Sequence, residues 1–162
     1  MDLWIGLTDE GMYDERNPQG KAIFAFHAED RTFYFEDDFK EMMHECYAVQ
    51  SIKSDLYVCF EGEDCCVIGH YQIGRDRIRT VAEYVLNGDQ YSYCDQLSVS
   101  KNRVLLIQNH EDNVFAFHEE SKGLSEADVM IHGIDRKEET AYRAVQNRIF
   151  IFNGNDLYLV KF

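Results

Sequence analysis

The chain has 162 residues, of which 45% are hydrophobic and 14% aromatic, and this composition argues against a disordered polypeptide. Thirty Asp and Glu against sixteen Lys and Arg give a formal net charge of −14. That charge argues against nucleic acid or an anionic membrane surface as a partner, because both are polyanions. The length predicts a single domain over residues 1–162 that is large enough to bury a core.

Cysteine usage predicts a cytoplasmic protein. There are five cysteines, an odd number, and no CxxC motif, whereas secreted disulfide scaffolds usually pair an even number. The run Met1–Leu7 lacks the basic flank of a signal peptide, and no apolar stretch has the length of a membrane span. We therefore expect five free thiols in a reducing compartment.

The first predicted elements are a strand, a hairpin and a helix. Asp2–Leu7 is the strand candidate, and residues 22–35 contain two apolar runs around a polar turn, which is the pattern of a β-hairpin. Over Asp38–Tyr47 apolar residues recur at helical spacing, so we predict one short helix there.

Only strands are predicted after the helix. Hairpins are expected at 56–70, 104–118 and 148–161, where an apolar run, a polar turn and a second apolar run follow one another. Residues 77–86 and 128–132 are further strand candidates. The last hairpin turns at an Asn-Gly pair, which favours a tight turn because both residues tolerate positive φ.

The hairpins repeat along the chain. Shifting the second hairpin by 48 residues places it on the third, with Lys53 on Lys101 and His70 on His118. We place the repeat units at approximately 20–47, 48–95, 96–143 and 144–162. The spacing resembles that of a β-propeller-like repeat array, closed or partial, and this resemblance implies an all-β fold of antiparallel hairpins. A β-sandwich or a curled sheet is the alternative. The strand Asp2–Leu7 is a candidate to pair with the last hairpin and complete a blade.

The sequence contains no recognisable catalytic or cofactor motif. Cys65 and Cys66 are adjacent in a predicted strand, so their side chains point to opposite faces and are poorly placed to hold one metal ion. His70 and His118 end matching strands and are interpreted as structural, with acid–base work as the alternative. We expect neither an enzyme nor a bound cofactor or metal.

Acidic residues in two predicted hairpin turns, and a further acidic cluster at the start of the predicted helix, are the candidate partner-binding residues. Such residues favour turns, but a row of them at equivalent hairpin tips would form an acidic rim that accepts Arg and Lys from a partner. The candidates are Glu36, Asp37, Asp38, Glu63, Asp64, Glu111 and Asp112.

In its small size, acidic charge and expected cytoplasmic location, the chain resembles the small acidic immunity proteins of bacteria, in type but not in motif. The resemblance implies a cytoplasmic inhibitor that neutralises a cognate toxin, such as a nuclease, by covering its basic active site. The alternative is a small-molecule-binding or enzymatic β-repeat module, because propeller-like folds host many functions.

Overall fold

The fold is all-β. The computed structural model describes residues 2–6, 22–27, 29, 31–34, 45–62, 65–74, 77–86, 94–100, 103–108, 113–118, 123–126 and 140–161. These residues form fourteen strands and no helix. Two compact units divide the chain, Met1–Ser92 and Tyr93–Phe162, and each is described by itself. That the whole chain acts as one domain stays a prediction.

The first unit contains two antiparallel sheets. Sheet A has the order β1 (Asp2–Gly6), β2 (Ile23–His27) and β3 (Thr32–Tyr34). Sheet B has the order β4 (Glu45–Ile52), β5 (Asp55–Gly62), β6 (Cys65–Ile73) and β7 (Ile78–Leu86). The first strands of the two sheets, β1 and β4, lie beside each other. Consecutive strands pair in chain order within each sheet, as they do in the blades of a propeller.

The second unit repeats this plan. Sheet C is formed by β8 (Gln96–Ser100), β9 (Arg103–Gln108), β10 (Asn113–His118) and β11 (Gly123–Glu126), in that order. Sheet D has the order β12 (Thr140–Val145), β13 (Arg148–Asn153) and β14 (Asp156–Lys161). Here too the first strands, β8 and β12, lie beside each other.

The four predicted hairpins are confirmed as β2–β3, β5–β6, β9–β10 and β13–β14. The 48-residue shift is also confirmed, since it separates the starts of β5 and β9 and the starts of β6 and β10. The candidate strand at 77–86 is β7. The candidate at 128–132 lies outside the described residues.

Two predictions need correction. The helix over Asp38–Tyr47 is wrong at its end, because Glu45–Tyr47 begin β4; residues 38–44 lie outside the described part of the chain. Cys46 is buried in β4 by pairing with Phe60, so tertiary contacts outweigh the local helical spacing. The N-terminal strand pairs with β2, not with the last hairpin.

Each unit has a core between its two sheets. In the first unit, Ile23 of sheet A packs with Leu56, Val58 and Phe60 of sheet B. Gly6 permits the close approach of β1 and β4, because a Cβ there would overlap the sulfur of Cys46. In the second unit, apolar residues of sheet C pack with Tyr142, Ile149 and Ile151 of sheet D.

Candidate functional site

The seven acidic candidates lie outside the described residues, and their role stays a prediction. Glu63 and Asp64 fall in the sequence between β5 and β6, and Glu111 and Asp112 between β9 and β10. Glu36, Asp37 and Asp38 fall between β3 and β4. The paired strand ends Gly62–Cys65 and Gln108–Asn113 bracket two- and four-residue segments, so the first two acidic pairs belong to the β5–β6 and β9–β10 connections.

Sheet B holds a polar cluster of Asp55, Tyr57 and His70 at the end opposite the β5–β6 connection. Nε2 of His70 lies 3.0 Å from Oδ1 of Asp55. The imidazole ring stacks on the ring of Tyr57, with centroids 4.3 Å apart and planes 14° from parallel. Since a carboxylate only accepts hydrogen bonds, the Nε2–H of His70 is the donor to Asp55. The ring of His70 is therefore oriented from two sides.

Strand register brings this cluster together. His70 on β6 is the direct partner of Tyr57 on β5, and Asp55 is two residues before Tyr57. Residues two apart on a strand share a face, so all three side chains lie on one face of sheet B. The cluster lies at the end of the sheet where β4 turns into β5, about 20 Å from the β5–β6 connection at a rise of 3.3 Å per residue.

The three groups of the cluster differ in exposure. Tyr57 is buried, the His70 side chain is 15% exposed and the Asp55 side chain is 41% exposed. A carboxylate that holds an imidazole in one orientation is half of a general-base arrangement. The same pair also serves to hold a strand end. His118, the sequence equivalent of His70, is instead the partner of Arg103, so the two histidines have different surroundings.

A second polar contact lies on the opposite face of sheet B. The hydroxyl of Tyr71 donates a hydrogen bond of 3.0 Å to Oε1 of Glu83. Burial, and then the nearby Glu83 carboxylate, raise the pKa of Tyr71 well above its usual value. The ring lies over Gly69, which is the partner of Glu83 on β7. The glycine thus leaves room for the ring to reach the carboxylate.

All five cysteines are free thiols. Cys59 on β5 and Cys66 on β6 are diagonal neighbours in the strand register, and their sulfurs are 3.4 Å apart. Burial raises the pKa of Cys46 to about 12. Among the residues that the structure describes, no group of three or more His, Cys, Asp or Glu is placed to hold a metal ion. The same residues include no helix long and apolar enough to cross a membrane.

Sequence reasoning identified His70 but missed Asp55 and Tyr57. The signal was present in the hairpin itself, because a connection of only two residues between paired Gly62 and Cys65 places His70 opposite Tyr57. The missing step was to count back from the turn along both strands and to compare the residues that share a face.

Comparison with known proteins bears on the fold. No protein-family model and no curated protein matches the chain. It is similar to a protein from Lactobacillus plantarum whose crystal structure is solved, with a TM-score of 0.57 and 13% identity. The match covers 98% of this chain and 48% of that one, so the chain spans about half of its length. That protein is β-propeller-like, and at this identity the likeness concerns the fold alone.

Proposed function

We propose that this protein is an acidic protein-binding inhibitor of the immunity-protein type, which neutralises a basic partner such as a toxin or nuclease domain. The distribution of charge carries the proposal. Residues 1–92 contain nineteen Asp and Glu against eight Lys and Arg, a net charge of −11, while residues 93–162 have a net charge of −3. Such a field attracts a cationic protein and repels its nucleic acid substrate.

The mechanism is occlusion. A nuclease binds its substrate through cationic side chains, because phosphate contacts supply most of the affinity for nucleic acid. Carboxylates of the inhibitor would occupy these side chains and exclude the substrate. Charges screened over about 8 Å at physiological salt act chiefly on the association rate, and affinity then depends on buried anchors. We take Trp4, Tyr13 and Tyr91 as the aromatic candidates for such anchors; of these, Trp4 is half-buried and packs against the core of the first unit.

The test uses the product of the adjacent reading frame as the partner. Association and dissociation rates are measured by surface plasmon resonance as salt is raised. Charge reversal of Glu36, Asp37 and Asp38 to Lys should slow association at least about tenfold and change dissociation less. The matched control reverses Glu119, Glu120 and Glu138, which changes the net charge equally. Binding with no salt dependence, or an equal effect of both triple variants, would contradict the proposal.

The second candidate function is a small-molecule-binding or enzymatic module, and the oriented His70 favours it. Its ligand would approach the end of sheet B where Asp55 reaches solvent. The test is thermal denaturation with a panel of metabolites on the wild type and on His70→Asn. A metabolite that raises the Tm of the wild type and not of the variant supports this function. If every metabolite acts equally on both proteins, the cluster is not a ligand site.

A further inference from the structure

Two buried thiols of sheet B are in contact with each other. Cys59 on β5 is 0% exposed and Cys66 on β6 is 2% exposed. Their sulfurs lie 3.4 Å apart, so the hydrogen of either thiol can point at the sulfur of the other. Both are free thiols, and the structure therefore describes the reduced form of this pair.

Strand register brings the two thiols together. Cys59 is the direct partner of Ile68, and Cys66 is two residues before Ile68 on the same strand. Residues two apart on a strand share a face, so both thiols lie on one face of sheet B as diagonal neighbours. The connection that follows β5 has only two residues between paired Gly62 and Cys65, which holds the two strand ends together.

The other two cysteines of the first unit lie on the opposite face of sheet B. Cys46 is the partner of Phe60, which follows Cys59 directly on β5. Cys65 directly precedes Cys66 on β6. Since neighbouring residues of a strand point to opposite faces, neither Cys46 nor Cys65 shares a face with the pair. Register therefore selects Cys59 and Cys66 among the thiols of this unit.

We propose that Cys59 and Cys66 form a redox pair that hydrogen peroxide oxidises reversibly to a disulfide. One sulfur attacks an oxygen of the peroxide, the O–O bond breaks, and the thiol becomes a sulfenic acid with release of water. The second sulfur then attacks the sulfenic sulfur, so that an S–S bond forms, the S–O bond breaks and a second water leaves with the remaining thiol proton. The two sulfurs together lose two electrons, and the peroxide is reduced to water. Peroxide is small and uncharged, which suits a pair that lies in a core.

The diagonal placement makes this disulfide readily reducible. A disulfide bond is about 2.05 Å long, so the sulfurs have to approach by about 1.4 Å from their separation of 3.4 Å. Diagonal neighbours are farther apart than the usual Cα separation of a disulfide, so the strands have to adjust. A bond held in unfavourable geometry is easier to reduce, as is typical of regulatory disulfides. The proposal is independent of the proposed inhibitor function.

The test treats the folded chain with hydrogen peroxide, alkylates the remaining thiols in denaturant and measures the intact mass. The wild type should lose two alkylation sites with no added oxygen, and dithiothreitol in native buffer should restore both. Cys59→Ala and Cys66→Ala should each abolish this loss. The matched control is Cys65→Ala, which removes the adjacent thiol on the opposite face and should retain the disulfide.

A second measurement protects the test against variants that do not fold. The oxidised wild type is cleaved after Glu61, between the two strands, and tandem mass spectrometry should find Cys59 linked to Cys66. Circular dichroism establishes which variants are folded. The proposal is overturned by a wild type that keeps all its alkylation sites, by a disulfide between other cysteines, or by a bond that dithiothreitol reduces only in denaturant.

Discussion

The close contact between Gly69 and Tyr71 predicts that a side chain at residue 69 destabilises the protein. A Cβ at residue 69 would lie 2.5 Å from the Tyr71 hydroxyl oxygen and 2.6 Å from its Cζ, where ordinary contacts begin at 3.4 Å. Gly69→Ala therefore has to displace a buried ring. Overpacking costs about 1–3 kcal/mol, and loss of the hydrogen bond to Glu83 adds about 1 kcal/mol, because Glu83 is exposed. We expect the free energy of unfolding to fall by about 2–4 kcal/mol in urea denaturation.

A double-mutant cycle separates this mechanism from a general intolerance of alanine. In the background Tyr71→Ala the ring is absent, so Gly69→Ala should be nearly neutral or slightly stabilising, because glycine is unfavourable in a strand interior. The coupling energy should be about 2–4 kcal/mol, the difference between the effects of Gly69→Ala in the two backgrounds. An equal loss of stability in both backgrounds would refute the argument that the ring requires the glycine.

Three further predictions concern a turn, a hydrogen bond and a buried thiol. Lys53 has a φ of 57°, so Lys53→Gly should raise the free energy of unfolding by up to about 1 kcal/mol in thermal denaturation, while Lys53→Val should lower it. Ser98→Ala removes a 2.5 Å hydrogen bond to the carbonyl of Gln146 and should cost about 1 kcal/mol in urea; a neutral result would mean that this bond contributes nothing. The pKa of Cys46 is raised from 9.0 to about 12, so this thiol contributes stability below pH 9 that is lost as pH rises toward 12. Cys46→Ala should reduce that alkaline loss by at most about 1.4 kcal/mol per pH unit in urea denaturation, and an unchanged pH profile would contradict the assignment.

Local signals explain what the sequence could predict of the fold. Each hairpin joins two apolar runs through a short polar segment, and its pairing partners lie at most 17 residues apart in the sequence. Pattern alone therefore located β5–β6 and β9–β10, including their spacing of 48 residues. The same reasoning failed at β4, where helical spacing of apolar residues is overridden by pairing with β5 and by contact with Gly6.

The candidate site was predictable only in part, because it depends on register and on burial. His70 attracted attention as a residue type, but its partner Asp55 is fifteen residues earlier and meets it only through strand pairing. The solvent exposure of one face of sheet D, where Phe152, Leu157 and Leu159 lie, was not predictable for a different reason. Phe150 and Phe152 belong to an apolar run that looks like the buried runs of β5 and β9, and sequence does not say that this run lacks a covering layer.

We propose that the acidic charge of this chain captures a basic protein. The most direct measurement is the association rate with the product of the adjacent reading frame, taken by stopped flow over a range of salt concentrations. We expect an association rate that falls steeply as salt rises, with a dissociation rate that changes little. An association rate independent of salt, for a complex that does form, would contradict it.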